Sequence, residues 1–321
     1  MSVEWIDAAL RGEKRAIARL VSLFEDRRVD RASERRRVIE ALDAHPEVRA
    51  AAIVGITGTP GAGKSTLTSE IVRHTRRLEP ELRVAVVAID PSSHVSGGAL
   101  LGDRTRMRLP PGDVNVYFRS QASDTALGGL SPHTFQVCRL LHRLFDVVFV
   151  ETVGIGQNEI DVRHLADRVY LVMQPLGGDE VQFLKAGIME VPDEIVLNKC
   201  DEAEAALRSY RALKAALSLA RPFDGDSIPI HRVSARTGMN VELLTERILE
   251  RARLDRQSSL HAREVHHFAR WVEDEWGRVG LRALESFGGA EAVMREAGDF
   301  DAAQAFFDRK VRAAIAASTA S

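Results

Sequence analysis

The stretch "AAIVGITGTPGAGKST", residues 51–66, decides how the rest of the chain is read. Its first seven residues are apolar and rich in β-branched side chains. That suits a strand buried on both faces, as in a sheet covered by helices on each side. The strand runs into G-x-x-x-x-G-K-[ST], carried by Gly58, Gly63, Lys64 and Ser65. The spacing has a mechanism. Glycines let backbone N–H groups curl around phosphate oxygens, Lys64 reaches the outer phosphates, and the Ser65 hydroxyl is a ligand for Mg²⁺. Thr59, Pro60, Gly61 and Ala62 complete the loop, and Thr66 follows it. A helical pattern starting near Lys64 adds the positive end of a helix. The bland alternative is a Gly-rich turn that matches by accident. A strand before the loop and a helix after it favour the nucleotide site.

Working outward, short apolar runs alternate with longer amphipathic ones. The strand candidates after the first are 84–89, 114–118, 147–150, 169–173, 194–198 and 228–233. Strands alternating with helices predict an α/β P-loop fold, with a mostly parallel sheet flanked by helices. Ligands of such sheets bind beyond the carboxyl ends of the strands. Helical extensions are expected at both ends. The expected division is 1–49 as an N-terminal helical extension, 50–254 as the nucleotide-binding domain and 255–321 as a C-terminal helical region. In the last of these, Val265, Phe268, Val272, Trp276 and Val279 fall on one helical stripe.

Composition removes several classes. The 321 residues are 45% apolar and 28% charged, which is globular, and the net charge of −2 offers no basic field for nucleic acid. The arginine-rich run 27–45 interleaves Asp and Glu, so it reads as a solvated helix face. Cys138 and Cys200 form no C-x-x-C, so neither a disulfide framework nor a zinc site is expected. The N-terminus does not read as a signal peptide, and no apolar run approaches the roughly 20 residues that span a bilayer. A cytoplasmic protein with no membrane partner is expected.

The other strand ends supply acids. Asp90 follows the second strand, and Asp103 lies in the loop "GGALLGDRTRM" beyond it. Glu151 ends "VVFVE", the form of the second acidic motif of P-loop proteins. Asp90, Asp103, Glu151 and Ser65 are the candidate metal ligands. Gly154 can offer its N–H to a γ-phosphate, and Gln157 on the same loop can orient water, though its offset from Gly154 is unusual. Arg104 and Arg106 are candidates for a charge-stabilising arginine. Taken singly, Asp90-Pro91 reads as a turn and Asp103 as a surface carboxylate; the phosphate loop raises both.

The base is read from "NKCD", residues 198–201, after the sixth strand. Asp201 can accept from N1–H and N2–H₂ of guanine, a donor pair that adenine lacks. Asn198 can brace the loop and meet guanine N7, and the Lys199 stem can lie over the base. After the next strand comes "SAR", Ser234, Ala235 and Arg236, where the Ala235 N–H can donate to guanine O6. The motifs occur in this order along the chain, which favours GTP and GDP over adenine nucleotides.

At these residues the chain resembles the MeaB/ArgK family of P-loop GTPases. The matching stretches are "GITGTPGAGKSTL", "AIDPSSHVSGGALLGDRTRM", "VETVGIGQNE", "GGDEVQFLKAGI" and "NKCD", with "GEKRAIARLVSLFEDRR" near the N-terminus. The resemblance implies a Mg²⁺-dependent GTPase chaperone that gates adenosylcobalamin loading of a cobalamin-dependent acyl-CoA mutase and protects or reactivates it. The mutase would act on methylmalonyl, isobutyryl or 2-hydroxyisobutyryl groups, and adenosylcobalamin would belong to that partner. It further implies a homodimer through the C-terminal helices and a mutase-sensing switch at 174–188. Two departures stand out: Lys185 is followed by Ala186 where relatives have a lysine pair, and His94 sits where relatives vary. The rival readings are a nickel or cobalt metallochaperone GTPase, for which His266-His267 is the only local candidate, and a small-molecule kinase.

Overall fold

A computed structural model describes residues 2–90, 107, 109, 112–122, 130, 132–152, 161–175, 192–220, 228–255 and 260–319. The chain divides into two compact units.

The sheet unit comprises 49–131 and 145–257. Its strands are β1 (Ala52–Gly58), β2 (Val84–Asp90), β3 (Val116–Ala122), β4 (Val147–Glu151), β5 (Arg168–Met173), β6 (Glu194–Leu197) and β7 (Ile230–Arg232). All seven strand candidates are present. They form one sheet in the order β3-β2-β4-β1-β5-β6-β7, with every neighbouring pair parallel. β1, β2 and β4 are buried along their whole length, as their two-sided apolar sequence demands.

Strand alternation separates two layers. Val54, Ile56, Val84, Val86, Ala88, Val147 and Phe149 pack with Leu67, Ile71 and Val72 of helix α1 (Lys64–Leu78). The same cluster takes in Leu244, Ile248 and Leu249 of a later helix (Val241–Asp255). On β5 and β6 the opposite parity, Leu171, Met173, Ile195 and Leu197, packs with Leu213 and Leu217 of the helix Ala203–Ala220. Every β-strand end therefore reaches one edge, where α1 begins.

The helical unit comprises 1–48, 132–144 and 258–321, so the mid-chain helix Pro132–Leu144, inside the 50–254 span, folds with the two chain ends. Its aromatic core brings Phe268 into edge-to-face contact with Phe300 and with Phe307. Two sequence expectations change here. Arg35, in the run expected to be a solvated face, is 3% exposed. Its Nε donates to Asp301 Oδ1 at 2.9 Å, a partner 266 residues away that local charge pattern does not reveal. The stripe of the helix His261–Ser286 is interrupted: Phe268 and Val272 are buried, but Val279 is 63% exposed. Between them Gly277 adopts φ 56° and ψ −148°, which breaks the helical phase. Among the described residues no helix is long and apolar enough to cross a membrane.

Candidate functional site

Where β1 ends, the loop geometry demands its glycines. Gly58 has φ 140°, and a Cβ there would fall 1.9 Å from the Val172 carbonyl oxygen. Gly63 stands at φ 86° as the N-cap of α1, and a Cβ there would meet Asn198 Nδ2 at 2.7 Å. The loop between them turns on an Ala62 N–H to Thr59 carbonyl bond of 3.2 Å, with Pro60 and Gly61 exposed at its tip. Lys64 is buried, and its Nζ donates to the Gly58 and Thr59 carbonyls at 2.9 and 3.2 Å. The loop thus wraps a cationic centre at the N-terminus of a 15-residue helix, an arrangement suited to phosphate. Thr66 is exposed on the first turn of that helix.

The carboxylates of Asp90 and Glu151 sit on the α1 side of the sheet. Asp90 shares strand parity with Ala88 and Val86, and Glu151 with Phe149 and Val147. Because Ala88 is the register partner of Glu151, Asp90 lies two residues further along β2. Both are almost fully buried. The Ser65 hydroxyl donates to Glu151 Oε1 at 2.6 Å, and the Ser120 hydroxyl donates to Asp90 Oδ2. Hydroxyl and carboxylate oxygens are the donor set that hard Mg²⁺ takes, so these residues fit that ion. Asp103, Gly154 and Gln157 lie outside the described residues, as do Arg104, Arg106, His94, Lys185, Ala186 and all of 174–188 except Gln174 and Pro175.

The base-reading loop is assembled from β6 and β7. Asn198, 2% exposed, donates Nδ2 to the Ala62 carbonyl at 2.8 Å and accepts the Ala235 N–H at 3.0 Å on Oδ1. It therefore ties the phosphate loop to the SAR turn. Here the structure departs from expectation, because the Ala235 N–H proposed for guanine O6 already serves Asn198. A buried N–H must find an acceptor, and the amide oxygen beside it supplies one. Lys199 takes φ 60°, and its Nζ donates to Gln174 Oε1 at 2.8 Å while its Cε runs past Gly63. Asp201 accepts the Ser234 hydroxyl on Oδ1 and pairs with Arg236 Nη2 at 2.8 Å on Oδ2. Phosphate loop, acids and base loop thus occupy one sheet edge.

Ser120 lies in no recognisable motif; it reaches Asp90 because β3 pairs in register with β2, setting Ser120 opposite Ala88. Gln174 is the first residue of the expected switch 174–188, and its contact with Lys199 is not visible in the sequence. Glu194, at the start of β6 and so away from the nucleotide edge, belongs to no motif either. It is 1% exposed and contacts His231 Nε2 at 2.6 Å and Arg247 Nε at 2.9 Å. Burial pushes its carboxyl up, but these hydrogen bonds and charges bring it below the ordinary value of 4.5. The paired histidines also read differently in three dimensions: His267 is buried and stacks on Phe135 with ring centroids 4.1 Å apart. Burial likewise pushes the Cys138 thiol up to about 12, so it is no ready nucleophile.

The family described as "Methylmalonyl Co-A mutase-associated GTPase MeaB" matches residues 17–277. A protein of Caulobacter vibrioides, provisionally named a GTPase, is 37% identical over 296 residues, covering 91% of this chain and 89% of the relative. The mouse methylmalonic aciduria type A homolog is 34% identical over 239 residues, covering 73% of this chain and 56% of the relative. A fused isobutyryl-CoA mutase of Cupriavidus metallidurans is 37% identical over 204 residues, 62% of this chain and 18% of that protein. Among solved structures, a LAO/AO transport system kinase superposes with a TM-score of 0.59 at 24% identity, over 89% of this chain and 97% of its own. That likeness speaks to fold alone.

Proposed function

We propose, from the premise that this chain belongs to the MeaB family of methylmalonyl-CoA mutase-associated GTPases, that its GTPase cycle serves a cobalamin-dependent acyl-CoA mutase. The observation that carries the client is the relative in which a homologous segment is fused to an isobutyryl-CoA mutase. The mouse relative named for methylmalonic aciduria supports the same class.

In this reading Lys64 and the amides of the phosphate loop hold the β- and γ-phosphates, and Asp201 reads guanine. Ser65, Glu151, Asp90 and Asp103 would hold Mg²⁺, which supplies charge neutralisation on the phosphoryl oxygens. Gly154 and Gln157 belong to the γ-phosphate side of the site. Asn198 braces the loop, and Lys199, Ser234, Ala235 and Arg236 line the base end. The GTP-bound and GDP-bound forms differ at the edge formed by Asp90 and Glu151. That difference gates adenosylcobalamin loading and protects or restores the mutase. The protein acts in the cytoplasm as a dimer through 255–321.

The test is steady-state GTP turnover, alone and titrated with the cobalamin-dependent acyl-CoA mutase of the same organism, with ATP as control. A slow rate that rises saturably with mutase, for GTP only, is expected. A rate unchanged across the titration overturns the client.

A further inference from the structure

Asp201 carries two donors of different character. On Oδ1 sits the Ser234 hydroxyl, from a fully buried residue whose Oγ also accepts the Thr237 N–H at 3.1 Å. On Oδ2 sits Arg236 Nη2 at 2.8 Å, from a side chain that is 77% exposed. The first donor is anchored in the turn. The second is held by an ion pair at the solvent boundary, which contributes little and is screened by salt.

The chemistry of that second donor matters. A guanidinium is an N–C–N unit bearing coplanar N–H donors. The N1–C2–N2 edge of guanine is the same unit. A carboxylate that reads guanine will also read arginine, and the strong carboxylate–guanidinium geometry is the one the base would use. Ser234 need not leave when the base binds, because a carboxylate oxygen accepts more than one hydrogen bond. Arg236 has to yield its place in the carboxylate plane.

We propose that Arg236 is a specificity-determining residue whose guanidinium competes with the 2-amino group of guanine for Asp201 Oδ2. The inference rests on Asp201 being the guanine reader. Hypoxanthine lacks the 2-amino group, so its N1–H can bond Oδ1 while Arg236 stays on Oδ2. Displacement of Arg236 therefore weakens guanine nucleotides selectively and narrows discrimination against hypoxanthine nucleotides.

The experiment is calorimetric titration of the full chain with GDP and with IDP in the presence of Mg²⁺. Arg236→Ala and Arg236→Gln should tighten GDP by about two- to fivefold, the worth of an exposed ion pair, with IDP changed less. The GDP/IDP ratio widens accordingly. Arg236→Lys, which keeps the charge without the planar fork, should fall between. Raising salt to about 1 M should erase the difference between wild type and Arg236→Ala, since it screens the pair. Weaker GDP binding by Arg236→Ala, or an unchanged GDP/IDP ratio, overturns the proposal. Asp201→Asn is the separate control: it should lose GDP preference and admit XDP. If Asp201→Asn leaves GDP affinity intact, the guanine-loop reading fails. If it behaves as expected while Arg236→Ala does not widen the ratio, only the competition fails.

Discussion

Asn198 donates its side-chain amide to the carbonyl of Ala62, 2.8 Å away in space and 136 residues back in the chain. The same side chain accepts the Ala235 N–H. One buried amide thus sets the spacing between the phosphate end and the base end of the site. Asn198→Ala leaves a buried carbonyl and a buried N–H without this partner, at about 1–3 kcal/mol each. GDP and XDP should both bind at least about tenfold more weakly, since the residue braces the loop without choosing the base. Calorimetry with both nucleotides separates this outcome from the base switch expected of Asp201→Asn.

Ser65 of α1 and Glu151 of β4 are joined by a hydrogen bond. Ser65→Ala and Glu151→Gln should each raise the Mg²⁺ concentration for half-maximal GTP turnover by about 10-fold or more. Ser65→Thr should restore it. A Mg²⁺ titration of turnover, paired with a Mg²⁺ titration of nucleotide affinity, checks both. An unchanged Mg²⁺ requirement would remove Ser65 and Glu151 from the metal site.

Glu194, away from the nucleotide edge, faces the His231 imidazole and three arginines: Arg247, and Arg168 and Arg251 at 3.6 and 3.9 Å from Oε1. Its folded carboxyl titrates below the ordinary 4.5, so the unfolded chain binds more protons in that window. The stabilisation is fully present above about pH 4.5 and is lost as pH falls through the folded value. Glu194→Gln should cost about 1–3 kcal/mol at neutral pH, because a buried carboxylate loses its charge-assisted bonds to arginines that stay partly exposed. Urea melts between about pH 3 and pH 6 should show the wild-type and variant curves converging on the acid side. Parallel curves would exclude the carboxylate as the source.

Asp301 is the acid between two buried arginines of the helical unit. It accepts Arg35 Nε at 2.9 Å and Arg139 Nη1 at 3.0 Å, and Arg139 also reaches Glu264 at 3.1 Å. Asp301→Ala should cost about 3–5 kcal/mol in chemical denaturation. Glu291→Ala, which removes an exposed pair with Arg295, should cost less than about 0.5 kcal/mol. Equal losses in the two variants would show that the buried network carries no special weight.

Residues 51–66 already contain a strand, a phosphate loop and a helix start, because each depends on contacts within a few residues: β-branched apolar side chains, glycines at positive φ, a lysine one position into the helix. Asp90, Glu151 and Asp201 are legible for the same reason, each at or just beyond the carboxyl end of a strand in a sheet whose ligand edge topology dictates. What the sequence could not decide was which donors those acids already hold. Ser120 meets Asp90 only through the register of β3 on β2, and Arg236 meets Asp201 only where the turn after β7 folds back on it. Arg35 looked solvated because its partner Asp301 is remote in sequence, and Val279 looked like core because helical period is blind to the break at Gly277. Local chemistry determined the motifs and the strands. Tertiary structure decided pairing and burial, since hydrogen bonds and charge desolvation depend on distances in space that no local pattern encodes.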